Sequence, residues 1–159
     1  MNRSLLIVDD DIDQLSVLSR YFTRLGYRVV TADHPSQALA AASGRQFRAA
    51  LVDASLPEID GLELMKRLKR IQNDLPVIVL SGYDFSAYPM SENWANTDSA
   101  FACLKKPCNL GLLGATVEDA IDCGIDGLPR EETTIARRLQ RLIPTTDISK
   151  VLVARPTRM

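Results

Sequence analysis

Short, wholly apolar runs alternate with amphipathic stretches along most of this chain, and the alternation itself predicts its elements. Leu5-Leu6-Ile7-Val8 is four consecutive apolar residues flanked by charge, the pattern of a strand buried on both faces. Ile12, Leu15, Leu18, Phe22 and Leu25 then recur at helical spacing, predicting one apolar helix face that Gly26 ends. Tyr27 to Ala32 is β-branched and short enough for a second strand, and Pro35 suits the first turn of an alanine-rich helix closed by Gly44. A third strand is expected at Ala49-Ala50-Leu51-Val52, finishing on Asp53, followed by a turn over Leu56 to Gly61. Leu62, Met65, Leu68 and Ile71 predict the inward stripe of the next helix, with Lys66, Arg67, Lys69 and Arg70 in solvent. Val77 to Leu80 is a fourth buried run. A long polar segment carries the chain to Ser99, Ala100 to Leu104 reads as the fifth strand, and Leu110 to Cys123 has room for a closing helix despite Gly111 and Gly114.

Five strands alternating with helices predict an α/β domain, a doubly wound parallel sheet with helices on both faces, over residues 1–123. Residues 124–159 form a C-terminal extension in which Arg130 to Ile143 fits one amphipathic helix and Val151 to Ala154 a short strand or a segment packed on the body. Composition narrows the class: 46% hydrophobic and 25% charged residues are those of a globular domain, and a net charge of −1 gives no general attraction to nucleic acid or anionic membrane. No stretch approaches the ~20 apolar residues that span a bilayer. Cys103, Cys108 and Cys123 show no metal-type pairing, so free thiols in a cytoplasmic protein are expected.

The chemistry collects at the carboxyl ends of the expected strands, the edge where open α/β sheets bind ligands. Asp9 and Asp10 follow the first strand, Asp53 ends the third, Ser81 follows the fourth and Lys106 the fifth. Adjacent acids repel unless something positive joins them, which suggests a hard, oxygen-seeking cation. Each residue alone has a plainer reading as a cap, a turn acid or a surface lysine; their joint order at successive strand ends does not. This set, with the D-x-x-L-P-x-x-D-G run from Asp53 to Gly61 and the Lys106-Pro107 pair, resembles the receiver domain of two-component response regulators from Ser4 to about Cys123. The resemblance implies a flavodoxin-like strand order, 2-1-3-4-5. It implies Asp53 as phosphoacceptor from a sensor histidine kinase or histidine phosphotransfer protein, and Mg²⁺ held by Asp10, Asp53 and the Ser55 carbonyl, with Asp9 assisting. Lys106 and Ser81 would meet the phosphoryl oxygens. Self-dephosphorylation is implied, but no turnover of a foreign substrate. Output would pass to a downstream protein through the face made by the fourth helix, fifth strand and fifth helix, in a monomer or a phosphorylation-dependent homodimer.

Three residues before the lysine, where the family usually carries Tyr or Phe, stands Cys103, and the period of two would put Phe101 on the same strand face. The segment between Ser81 and Lys106, with Tyr83, Phe85, Tyr88 and Trp94, is longer than the family's usual one. These departures bear on output more than on phosphorylation, and they motivate an alternative: a phosphorylation-independent interaction module. A haloacid-dehalogenase-like phosphatase is a weaker rival, because Asp9-Asp10-Asp11 lacks the Thr or Val of that motif. Asp11 is read as a helix cap, His34 and Asp60-Gly61 as turn residues, and Cys103 as a small core residue. One amphipathic helix does not make a helix-turn-helix, so DNA binding is not expected from the basic tail, which reads as a solvated face.

Overall fold

A computed structural model of the chain describes residues 2–82, 100–126 and 151–152. The long segment before the fifth strand, where a fourth helix is expected, and the Arg130 to Ile143 stretch lie outside the described residues. The apolar runs form β1 (Ser4–Val8), β2 (Arg28–Ala32), β3 (Ala49–Asp53), β4 (Val77–Ser81) and β5 (Ala102–Lys105). They make a parallel sheet in the order β2-β1-β3-β4-β5, as the resemblance implied, and β6 (Val151–Leu152) adds a short antiparallel strand beyond β5.

Alternation along each strand divides the core into two layers. Leu5, Ile7, Leu51, Ile78 and Leu104 face α1 (Ile12–Arg24) and α4 (Leu110–Asp126), meeting Leu15, Leu18, Phe22, Leu113 and Val117. Leu6, Val8, Val52, Val79 and Cys103 face α2 (Pro35–Gly44) and α3 (Gly61–Ile71), meeting Ala38, Ala42, Leu64, Met65 and Leu68. Central strands are therefore buried along their whole length, which is why they read as continuous apolar runs rather than as alternation. Gly114 of α4 lies against the Tyr21 side chain of α1: a Cβ there would stand 2.8 Å from the Tyr21 hydroxyl. Among the described residues no helix is long and apolar enough to cross a membrane.

Three expectations need correction. The first helix buries Leu15, Leu18 and Phe22, but Ile12 is 60% exposed and Leu25 40% exposed, because the ends of that stripe run past the sheet it packs on. In α3 the inward face is Gly61, Leu64, Met65 and Leu68, not the stripe through Leu62 and Ile71; Leu62 is half-buried and Ile71 exposed. That face continues to Gln72, a buried polar residue whose Nε2 donates to the Ala42 and Arg45 carbonyls at 2.8 and 2.6 Å while its Oε1 accepts from the Phe47 amide at 3.0 Å. A helix end, a second helix end and the approach to β3 are thereby held by one amide group. Finally, Phe101 precedes β5 and packs against the α1/α4 layer, whereas Cys103 lies in the α2/α3 layer; the period of two applies only once the strand has begun.

Candidate functional site

The parallel register of β1 and β3 pairs Val8 with Val52, so the residues that follow, Asp9 and Asp53, emerge side by side at the carboxyl edge of the sheet. Asp9 extends β1 by one rung, its amide donating to the Ala32 carbonyl at 3.1 Å, and its Oδ1 accepts from the Asp11 amide at 3.0 Å. Asp11 in turn caps α1, accepting from the Asp13 and Gln14 amides. One turn of chain thus fixes two carboxylates and leaves the third, Asp10, exposed between them.

Asp53 is held from its other side. Its Oδ1 accepts from the Ser55 amide at 3.1 Å, the Ala54 amide continues the ladder to the Leu80 carbonyl at 2.7 Å, and the chain returns through a turn in which Glu58 has φ 72°. Asp60 caps α3 by accepting from the Glu63 amide at 2.8 Å. Gly61 then passes directly over Asp53: its amide donates to the Ala54 carbonyl at 2.9 Å, and a Cβ on it would lie 2.1 Å from the Asp53 carbonyl oxygen and 2.8 Å from the Ala54 Cα. Only glycine fits there. The sequence reading treated Asp60-Gly61 as turn chemistry and missed this contact with the aspartate's own backbone; its signal was the fixed spacing of the run from Asp53 to Gly61.

Lys106 closes the site. Ser81 and Lys105 are partners in the β4–β5 ladder, and the Lys106 amide donates to the Ser81 carbonyl at 2.7 Å, which delivers the next side chain over the acids. Its Nζ donates to Asp9 Oδ2 at 2.8 Å and lies 3.2 Å from Asp53 Oδ2. Carboxylate oxygens of Asp9, Asp10 and Asp53 lie within 4.8 Å of one another. Of the sequence-predicted residues, Asp9, Asp10, Asp53 and Lys106 therefore converge; Ser81 ends β4 beside them, and Ser55 is exposed two residues past Asp53.

Burial governs the electrostatics. Asp9 is 2% and Asp53 7% exposed. Burial pushes the Asp53 carboxyl above the usual carboxylate range, with the charge of Asp9 adding to it, against the opposing pull of the Ser55 amide and Lys106. For Lys106 burial works downward, but its hydrogen bond to Asp9 and the two nearby negative charges outweigh it and raise the group. One ammonium shared by two buried acids, with a third acid at the mouth, leaves surplus negative charge. All-oxygen donors at this spacing fit a hard divalent cation such as Mg²⁺, which needs few carboxylates and keeps its waters. Cys103, in contrast, is buried at 2% exposure in the layer below, and burial pushes its thiol up to about 11, the behaviour of an inert core residue.

A family profile described as "Response regulator receiver domain" matches residues 5–118. The chain is 31% identical over 120 residues to "Transcriptional regulatory protein ZraR" of Escherichia coli O157:H7, an alignment spanning 76% of this chain and 26% of that protein. It thus spans about a quarter of the length of the curated relatives it matches. A CheY-like receiver domain protein from Methanospirillum hungatei JF-1 superposes with a TM-score of 0.73 at 26% identity, covering 80% of this chain and 100% of that one. A Burkholderia pseudomallei response regulator solved with a phosphorylated aspartic acid, calcium ion and citrate superposes with a TM-score of 0.64 at 27% identity, covering 79% and 72%.

Proposed function

Because the chain belongs to the response regulator receiver domain family, we propose that it is a phosphoacceptor switch in which Asp53 takes a phosphoryl group from a phosphohistidine donor. The observation that carries this reading is the position of the Lys106 ammonium, 2.8 Å from Asp9 and 3.2 Å from Asp53, with Asp10 at the mouth of the same cluster. An Asp53 carboxylate oxygen would form the new O–P bond as the donor's P–N bond breaks, leaving an acyl phosphate on the protein and the electron pair of the broken bond on the departing imidazole nitrogen, which takes up a proton from water. Asp9, Asp10, Asp53 and the Ser55 carbonyl would hold Mg²⁺, whose chemistry here is to neutralise charge on the acids and the transferring group.

Lys106 contributes a compact positive charge to a phosphoryl oxygen, and the Ser81 hydroxyl donates to another. The modification adds roughly −1.5 to −2 of charge at neutral pH. That charge competes with Asp9 for Lys106, and the movement of the β4 and β5 ends toward Asp53 biases a two-state equilibrium that a partner reads. The phosphorylated aspartate reported for the Burkholderia pseudomallei regulator supports the assignment by similarity. Donors are a sensor histidine kinase or a histidine phosphotransfer protein. The buried Cys103 at the position of the family's switch aromatic favours an output that does not use a rotating ring.

The test is incubation with a small phosphodonor such as acetyl phosphate, with and without Mg²⁺, for the wild type and Asp53→Asn. Mg²⁺-dependent labelling of the wild type alone is expected; labelling that persists in the variant overturns the assignment. Partner binding or oligomeric state indifferent to an acyl-phosphate mimic would instead favour the phosphorylation-independent module.

A further inference from the structure

In the sheet order, β5 would be an edge strand if β6 did not cover it. The pairing is short: Cys103 with Leu152 and Leu104 with Val151, antiparallel, where the neighbouring β4–β5 ladder runs over four pairs. An uncovered edge offers unpaired N–H and C=O groups on which another extended segment can add. A cover of two residues forms few hydrogen bonds, so it belongs to the parts of a fold that open most easily.

The position of this cover ties it to the site. Lys106 directly follows β5, its amide is bonded to the Ser81 carbonyl at 2.7 Å, and its Nζ bridges Asp9 and Asp53. A pull on Nζ therefore acts on the end of the strand whose outer edge β6 holds, two residues beyond Leu104. We propose that β6 is a cap, supplied by this chain's own C-terminal segment, on the β5 edge, and that modification of Asp53 releases it.

This inference rests on the phosphoacceptor reading. In the unmodified protein Lys106 is shared between Asp9 at 2.8 Å and Asp53 at 3.2 Å, and β5 sits in register with both β4 and β6. Charge added at Asp53 tips that shared contact away from Asp9 and toward the phosphoryl oxygens, the end of β5 follows, and a register fixed by two residues is lost before one fixed by four. The backbone of Cys103 and Leu104 is then open to strand addition by a partner.

Hydrogen exchange read by mass spectrometry on the full chain tests this, with beryllofluoride and Mg²⁺ as the acyl-phosphate mimic and ¹⁹F NMR to confirm that the mimic is bound. Exchange at Val151 and Leu152 should accelerate by roughly tenfold on binding, within the range of coupling between linked sites, and should not change in Asp53→Asn. A double variant, Val151→Pro with Leu152→Pro, should bind the mimic and show fast exchange at the β5 edge without it. Bound mimic with unchanged exchange at β6, or a proline variant whose β5 edge stays protected, overturns the cap and leaves the phosphoacceptor reading standing. Failure of the mimic to bind overturns both.

Discussion

Replacing Gly61 with alanine should damage fold and site together. The added Cβ would lie 2.1 Å from the Asp53 carbonyl oxygen and 2.8 Å from the Ala54 Cα, against a tightest normal approach of 3.0 Å, so the backbones must part by roughly 1 Å. Neither neighbour is a flexible side chain. Asp53 is in β3 with its ladder intact, and Gly61 starts α3, which Leu64, Met65 and Leu68 fasten to the sheet. Relief comes from lifting the first turn of α3, which stretches the 2.9 Å bond from the Gly61 amide to Ala54 and loosens that packing. We expect a loss of about 3 kcal/mol, the upper part of the range for overpacking, and a fall in Tm of roughly 10 °C. The assay is urea unfolding followed by circular dichroism, paired with acetyl phosphate labelling. Gly44→Ala is the control: nothing lies within 4 Å of a Cβ there, and the change should be neutral or stabilising by up to about 1 kcal/mol. A Gly61→Ala protein as stable as the wild type and labelled at the same rate would refute the reasoning.

Lys106→Met leaves two buried acids without their shared ammonium and should cost about 2 kcal/mol at neutral pH, less than for a fully buried pair because the lysine is a quarter exposed. The sign of its pH dependence follows from Asp53, whose folded pKa is raised. The folded chain keeps a proton that the unfolded chain releases, so stability falls as pH rises from the ordinary carboxylate value through the raised one, and the variant's deficit should shrink on acidification. Thermal melts from pH 4 to 8 would show a constant deficit if the pairing were unimportant. Native thiol titration near pH 8 should leave Cys103 unmodified until the protein unfolds, since it is buried with a thiol pushed up to about 11; rapid modification of Cys103 would contradict its place in the core. Gln72→Leu removes three hydrogen bonds, two of them buried, and strands the Phe47 amide, so denaturant unfolding should register a loss of about 2–4 kcal/mol, and a change under 1 kcal/mol would show that water replaces the amide.

The strands were readable because each central one is buried on both faces and therefore apolar without interruption, as in Leu5 to Val8 and Ala49 to Val52. The site was readable for a related reason: charged residues at the ends of such strands have few roles, and Asp9, Asp53 and Lys106 stood at the carboxyl ends of the first, third and fifth. What escaped depended on contacts between elements. Leu64 and Gln72 face inward because of how α3 lies across the sheet, which spacing from Leu62 misjudged by part of a turn. Phe101 was assigned a face by a strand period that starts one residue later. Gly61 looked like an ordinary turn glycine, since only the folded chain brings its Cα over the Asp53 carbonyl.

The most direct measurement is to locate the acyl phosphate. After reaction with acetyl phosphate and Mg²⁺, borohydride reduction converts an aspartyl phosphate to homoserine, and tandem mass spectrometry of the digested protein identifies the residue changed. Conversion at Asp53 alone, dependent on Mg²⁺, is expected; conversion at Asp9 or Asp10, or none under conditions where the protein is folded, would contradict the phosphoacceptor assignment.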